Sequence, residues 1–317
     1  MAVERPIACR EAARHDSTAT AGSDYTTTAG TLNFPTGSTS ANITVVINGD
    51  TAIEADETIT LNFTAPVGVA IGTASATGTL TNDDNADPAG YYTGTGTVKQ
   101  PDNSTNLVLS DLQALVYGNR IMLMSVSQLL LYDMQSIVIS GNSYTAVLTL
   151  YQNAAYVATV NVSGTLNEGV SLTGTLTGSG AGNGSFTVAY NATVNAKTAS
   201  LVVIGNVNYD GKLNNGISAI SFDVANNGNV TNTTVFSDAG KMSGCNFNTG
   251  SSLLPQAASN LYVATFVLTG CTDTNVNGSY TGLSTTFDNV LEGVSDGYMP
   301  TAFSNGTYSG TADFKKN

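Results

Sequence analysis

Asp50-Thr51-Ala52-Ile53-Glu54-Ala55-Asp56-Glu57-Thr58-Ile59-Thr60-Leu61, closed further on by Gly78-Thr79-Leu80-Thr81-Asn82-Asp83-Asp84, decides what the first part of this chain folds into. An acidic cluster leads into a segment, Glu57 to Phe63, that alternates with the period of a half-buried β-strand. The second stretch is a shorter strand ending in paired carboxylates. A β-sandwich gathers strand ends at its tips, so these acids are expected at one pole. Hard carboxylate oxygens brought together in that way suit calcium.

The same pattern extends in both directions. Thr31 to Phe34, Asn42 to Ile47 and Ser75 to Thr81 read as further strands, punctuated by Gly37, Gly49, Gly68 and Gly72. Residues 87–90 read as a linker. Residues 91–317 form a long series of short strands, among them Thr145–Tyr151, Tyr156–Val162, Ser185–Tyr190, Leu201–Val207, Ile217–Val224 and Leu261–Leu268. Turn signals such as Gly118-Asn119, Gly141-Asn142 and Asn227-Gly228 recur between them. This spacing is that of an antiparallel barrel or sandwich. Gly-x-hydrophobic-x-Gly units (Gly174 to Gly178, Gly278 to Gly282, Gly306 to Gly310) read as short strands between tight turns, and divide the region into two related halves, 91–195 and 196–317. Helical periodicity is poor everywhere; Asp111 to Tyr117 comes nearest, at half a turn.

The 317 residues carry a net charge of −13, only 10% are charged, and Trp is absent. An ordinary globular chain has roughly a quarter charged residues. Abundant Thr, Ser, Asn and Gly fit an extracellular or cell-surface all-β protein instead. The acidic balance repels nucleic acid and anionic lipid. The longest apolar run, Ile121 to Leu131, is too short and too polar to span a bilayer, so the chain is not read as transmembrane. Of three cysteines, Cys245 and Cys271 each follow a Gly; a bridge between them would close a loop of about 26 residues, worth roughly 3 kcal/mol. The other reading is two small buried thiols. Residues 1–17 stand apart. They hold three of the four arginines (Arg5, Arg10, Arg14), the sole histidine His15, and Cys9. They contain no apolar core of a signal peptide, and read as a non-matching, disordered leader.

Ala19-Thr20-Ala21-Gly22-Ser23-Asp24-Tyr25, Gly30-Thr31-Leu32-Asn33-Phe34-Pro35-Thr36-Gly37, Asn48-Gly49-Asp50 with Glu54-Ala55-Asp56-Glu57, and Gly78 to Asp84 occur in that order. Together they resemble the Calx-beta domain, an immunoglobulin-like sandwich, over residues 18–86. The resemblance implies calcium as ligand, held at one pole by Asp24, Asp50, Glu54, Asp83 and Asp84. Two departures stand out. Gly49 and Thr51 flank Asp50 where the family often has consecutive acids, and Asn82 stands where an Asp is common. The family's opening strands are also not recognisable before Thr18, so a partial sandwich is expected: a fragment, or one completed by strands from another chain. Residues 91–317 resemble the β-rich, lipocalin-like modules of bacterial secreted or lipid-anchored proteins.

Catalytic readings fail for want of parts. With His15 alone, no Ser-His-Asp or Cys-His arrangement has its base, and zinc and copper lack their usual nitrogen ligands. A two-carboxylate glycosidase has acids enough, but no Trp platform for a sugar. Asn206 to Asn214 imitates a calcium loop yet has Ile217 where a bidentate acid is required; it reads as a strand–turn–strand with Asp210-Gly211 at the bend. Gly178 to Gly184 lacks a Lys and a following helix, so it is a hairpin tip, not a phosphate cradle. The chain therefore reads as non-enzymatic and all-β: a partial immunoglobulin-like sandwich followed by a larger antiparallel barrel or sandwich. Its expected role is adhesion or scaffolding at a matrix or cell contact. The partners are calcium and an extracellular-matrix or cell-surface protein. The alternative is a small apolar ligand carrier built on the C-terminal barrel.

Overall fold

A computed structural model describes residues 7–16, 18–27, 29–50, 52–64, 71–100, 105–178, 182–205, 207–213, 218–232, 236, 241–257, 259–287 and 297–316. The chain divides into two compact units, Met1–Asn85 and Ala86–Asn317. Nearly all regular structure is strand.

The first unit contains β1 (Ile7–Asp16), β2 (Tyr25–Thr26), β3 (Ala29–Phe34), β4 (Val46–Ile47), β5 (Glu57–Thr64) and β6 (Ser75–Leu80). The order in its sheet is β3-β1-β5-β6, and β2 pairs separately with β4. Residues 7–16 are therefore not a disordered leader. They form the central strand β1, antiparallel both to β3 (Cys9 opposite Leu32) and to β5 (Glu11 opposite Phe63). The correction has a simple cause. A strand flanked on both sides is held by backbone groups, which every residue has, so the absence of an apolar alternation does not forbid it. The opposite error occurs at Asn42 to Val45: the pattern is β-like, but only Val46–Ile47 find a partner strand. A small core of Ala19, Tyr25 and Ile59, with Val45 and Leu80 against it, closes this unit.

The second unit begins with a closed eight-stranded barrel: β7 (Gly90–Lys99), β8 (Asn106–Tyr117), β9 (Arg120–Ser125), β10 (Leu130–Ser140), β11 (Ser143–Gln152), β12 (Ala155–Asn167), β13 (Ser171–Thr177) and β14 (Gly184–Tyr190). Closure comes from β7 pairing with β14 on one side and β8 on the other. Period-two alternation sends Tyr92, Leu112, Leu123, Tyr132, Leu148, Val162 and Phe186 inward, all buried. Asp111 to Tyr117, the nearest thing to a helix in the sequence, lies inside β8. Gly164 and Gly174 do not mark turns either. They face each other in mid-strand, and a Cβ on Gly174 would come within 2.3 Å of the Phe186 ring. The glycines are slots for interior aromatic rings. Residues 179–181 at the tip of the β13–β14 hairpin lie outside the described residues.

Two short helices follow, α1 (Ala192–Asn195) and α2 (Leu201–Ile204). The second replaces the start of an expected strand. The Ser200 hydroxyl accepts from the Val203 N–H at 3.3 Å and caps the turn, which overrides the β-branched run. Strands β15 (Val207–Leu213), β16 (Ser218–Val224), β17 (Val230–Asn232), β18 (Asn246–Phe247), β19 (Ser252–Pro255), β20 (Leu261–Thr269), β21 (Gly278–Thr285), β22 (Tyr298–Ser304) and β23 (Ser309–Lys316) complete the unit. Their order is β17-β16-β15-β23-β22-β21-β20-β18, with β19 also on β20. An Asn229–Ser252 bridge brings the two ends together, so this sheet is a nearly closed second barrel. Asp210-Gly211 is in mid-strand, opposite Ser221 and Ile220, and not at a bend; the connection at residues 214–217 lies outside the described residues. The interior is a chain of aromatic contacts. Tyr209, Phe314 and Phe247 surround Phe222, Phe247 meets Phe266, and Phe266 meets Phe303, with ring centroids 4.7–5.6 Å apart. Cys245 and Cys271 are joined in a disulfide, which by loop entropy contributes about 3 kcal/mol.

The two barrels pack through Tyr91, Leu115, Met122, Met124 and Leu131 on one side and Leu261, Leu283 and Ala302 on the other. Strands β9 and β10 are consequently buried on both faces, which explains the long apolar run from Ile121. A buried ion pair sits at this seam. Asp133, 1% exposed, accepts from Arg120 Nε at 2.9 Å and Nη2 at 2.8 Å, from Gln135 at 3.1 Å, and from the Ser304 hydroxyl. Arg120 also donates to the Thr281 hydroxyl at 2.9 Å and carbonyl at 3.0 Å. The pair thereby ties β9 and β10 to β21 and β22. Arg120→Ala, which leaves the buried Asp133 without its counter-charge, is expected to cost the Ala86–Asn317 unit about 3–5 kcal/mol in a guanidinium titration. Replacing both residues with apolar ones of similar volume should cost much less. Equal losses would show that the charge pairing is not what matters.

Candidate metal centre

Three separate chain segments deliver carboxylates to one end of the first unit. The earliest is the turn Thr20–Asp24. The Asp24 N–H donates to the Thr20 carbonyl at 3.0 Å, and the Thr20 N–H donates back to Asp24 Oδ2. The turn passes through Gly22 with φ +100°, a left-handed conformation that glycine adopts without strain. Asn48 then anchors this turn by donating its N–H to the Asp24 carbonyl at 2.9 Å.

The second segment is the loop before β5. Asp50 accepts from the Ala52 N–H at 2.7 Å, an Asx turn that starts the loop. The third is the segment after β6, and Asn82 is its connector. Its side-chain carbonyl accepts from the Glu54 N–H at 3.1 Å, and its amide donates to the Asp84 carbonyl at 2.9 Å. Its own N–H donates to Asp56 at 2.9 Å. An aspartate here could not donate to Asp84. The departure from the family pattern thus has a structural use: Asn82 fixes where Glu54 stands.

All five residues expected from the sequence, Asp24, Asp50, Glu54, Asp83 and Asp84, line one cleft of about 90 Å³. They do not all converge equally. The tight group is Asp24, Glu54 and Glu57, each of which offers one carboxylate oxygen within 4.8 Å of the other two. Asp50, Asp83 and Asp84 stand around this group on the cleft wall. Glu57 was missed in the sequence reading, although a signal was present. Glu57, Ile59 and Leu61 share a strand face, and Ile59 is in the core, so Glu57 must point inward at the end of β5.

The electrostatics reflect the crowding. The Glu57 carboxyl is held above its ordinary 4.5, by loss of hydration first and then by the charge and hydrogen bonding of Asp24 and the charge of Glu54. Asp24 is held below its ordinary 3.8 by the Thr20 N–H, then Ser23, with Glu57 donating in its protonated form. Such a trio suits an oxygen-ligated cation. Two oxygens bound to one calcium at 2.3–2.6 Å can be no more than about 5 Å apart, and the observed spacing meets that limit. Among the described residues no histidine or cysteine lines the cleft, which disfavours zinc and copper.

Residues 12–85 match the Calx-beta domain. The match begins at Ala12 rather than at Thr18, so it includes part of β1 and overturns the idea that this stretch is foreign to the fold. Neither the curated proteins nor the solved structures contain a match to the chain, and the Calx-beta match covers none of Ala86–Asn317. Calx-beta domains are β-sandwich modules generally associated with calcium binding, and the carboxylate trio lies within the matched residues.

The pKa shifts fix a sign for stability. Glu57 binds a proton in the folded state at pH values where the unfolded chain has released it. Metal-free stability therefore declines as pH rises from about 4.5 through the raised Glu57 range. Asp24 acts oppositely, and its contribution is lost only as pH falls through its lowered range below 3.8. Glu57→Gln in chelator is accordingly expected to raise the melting temperature of the Calx-beta unit at pH 7, with the advantage shrinking towards pH 4.5. A lower melting temperature at pH 7 would show that Glu57 is not under repulsion.

Proposed function

We propose that this chain is a non-enzymatic surface or secreted β-protein whose Calx-beta unit takes up a calcium ion at Asp24, Glu54 and Glu57, with Asp50, Asp83 and Asp84 as outer acids. The carrying observation is the convergence of three carboxylates from two separate segments, the Thr20–Asp24 turn and the loop leading into β5, within 4.8 Å, where lost hydration and then the neighbouring charges hold the Glu57 carboxyl above its ordinary range. A divalent cation would neutralise that repulsion and hold the Thr20–Asp24 turn, the Glu54 loop and the start of β5 in one arrangement. The role is then mechanical. Calcium stiffens a binding module used for adhesion or for contact with matrix or cell-surface protein.

The Cys245–Cys271 disulfide supports an oxidising compartment. Among the described residues no helix is long and apolar enough to cross a membrane. The ligand-carrier alternative draws less support, because inward side chains of the first barrel and the aromatic chain of the second occupy their interiors.

Calcium added to the full chain during isothermal titration should give saturable heat that chelator reverses. At a free concentration of about 100 times Kd, calcium should raise the unfolding free energy of the Calx-beta unit by about 2.7 kcal/mol. Glu57→Gln and Asp24→Asn should each weaken binding about tenfold or more, and Asp50→Ala less. Absence of heat with the unmodified chain would end the calcium reading.

A further inference from the structure

The acidic cleft opens into a second depression, an apolar groove of about 450 Å³. The two share Ile47, Gly49, Leu80, Thr81 and Asp83 along their linings, and Asp83 is the one cleft carboxylate that also lines the groove. The groove follows strand β6, the outer strand of its sheet. Glu57, Ile59 and Leu61 of β5 stand opposite Leu80, Gly78 and Ala76 of β6 and so share a face with them. The small residues of β6 leave half-buried Leu61, and the edge of the buried Ile59, lining the groove floor. A Cβ built on Gly78 would meet nothing within 4 Å.

Among the described residues no strand pairs with the outer side of β6. Exposed edge strands are ordinarily blunted by charge, proline or a bulge. Ser75–Leu80 is Ser-Ala-Thr-Gly-Thr-Leu, with neither charge nor proline, and its register with β5 runs from Leu80 to Ser75 without a shift. Ser75 to Thr79 are exposed.

We propose that β6 and this groove receive an extended peptide segment of another protein by antiparallel β-addition. The added strand would place apolar side chains, two residues apart, over Ile59 and Leu61 beside Gly78. Asp83 lies beyond the C-terminal end of β6, so an antiparallel strand meets it with its N-terminal end, where a Lys or Arg fits. The ligand is thus a basic–polar–apolar–polar–apolar segment. A second copy of this chain fits poorly. The chain carries a net charge of −13, and no Lys or Arg occurs between Arg14 and Lys99. Another β6 would bring Asp83 and Asp84 to the junction, not a cation.

The test is a fluorescence-anisotropy titration of the full chain, in chelator, with the labelled peptide Arg-Thr-Val-Thr-Val-Thr. Saturable binding is expected. Moving the Arg to the C-terminal end, or replacing it with Glu, should weaken binding about tenfold. Gly78→Val, which fills the groove at an unstrained strand position, should weaken the Arg peptide similarly while circular dichroism stays unchanged. No saturable binding to the unmodified chain, or equal binding of the Arg and Glu peptides, overturns the proposal without recourse to any variant. Sedimentation supplies the remaining outcome. A dimer that Gly78→Val makes monomeric would mean that a second copy covers the edge, and would overturn the peptide as occupant.

Discussion

Backbone N–H and C=O groups must be paired wherever water cannot reach them, and that requirement shapes both units of this protein. In the Calx-beta unit it recruits β1 into the middle of the sheet, between β3 and β5, whatever its side chains. In Ala86–Asn317 it is met by closure, with β7 joining β14 to β8. The second barrel comes close to the same solution through the Asn229–Ser252 bridge. Once strands are committed in this way, period-two alternation decides which side chains enter each interior, and glycines opposite aromatic rings give those rings room.

The acidic pole follows from the same geometry. Loops that connect strands must gather at sheet ends, so residues far apart in sequence are brought within contact distance there. Asn82 converts this general gathering into a fixed arrangement by bonding both to the Glu54 loop and to Asp84. The outcome is a local cost: three carboxylates closer than their charges favour. A cluster of this kind is held by the surrounding ladders rather than by its own interactions.

Much of this was legible in advance. The all-β class and most strands followed from alternation and turn residues, and the ordered motifs around Asp24, Asp50 and Asp83 pointed to the Calx-beta domain before any coordinates. The misreadings share one origin. Local pattern says nothing about partners, so Asn42 to Val45 reads as a strand yet has no partner strand among the described residues, and residues 7–16 carry no strand pattern yet pair with two. Leu201–Ile204 failed differently, because a serine cap outweighed β propensity. Mid-strand glycines read as turns in the sequence, because a glycine beneath a ring and a glycine in a turn look alike in one dimension.

By itself, the sequence determined the chemistry: an acidic, histidine-poor β-protein with oxygen ligands and little else to offer a metal. It also determined which residues could gather at a pole, since motif order and strand period are local properties. Only the tertiary structure decided that Glu57 joins Asp24 and Glu54 while Asp50, Asp83 and Asp84 stand around them. It alone decided, too, that Arg120 and Asp133 fasten two barrels together. Distances between carboxylates, and the burial of an ion pair, depend on how loops and sheets are placed against one another, and no local pattern contains that information.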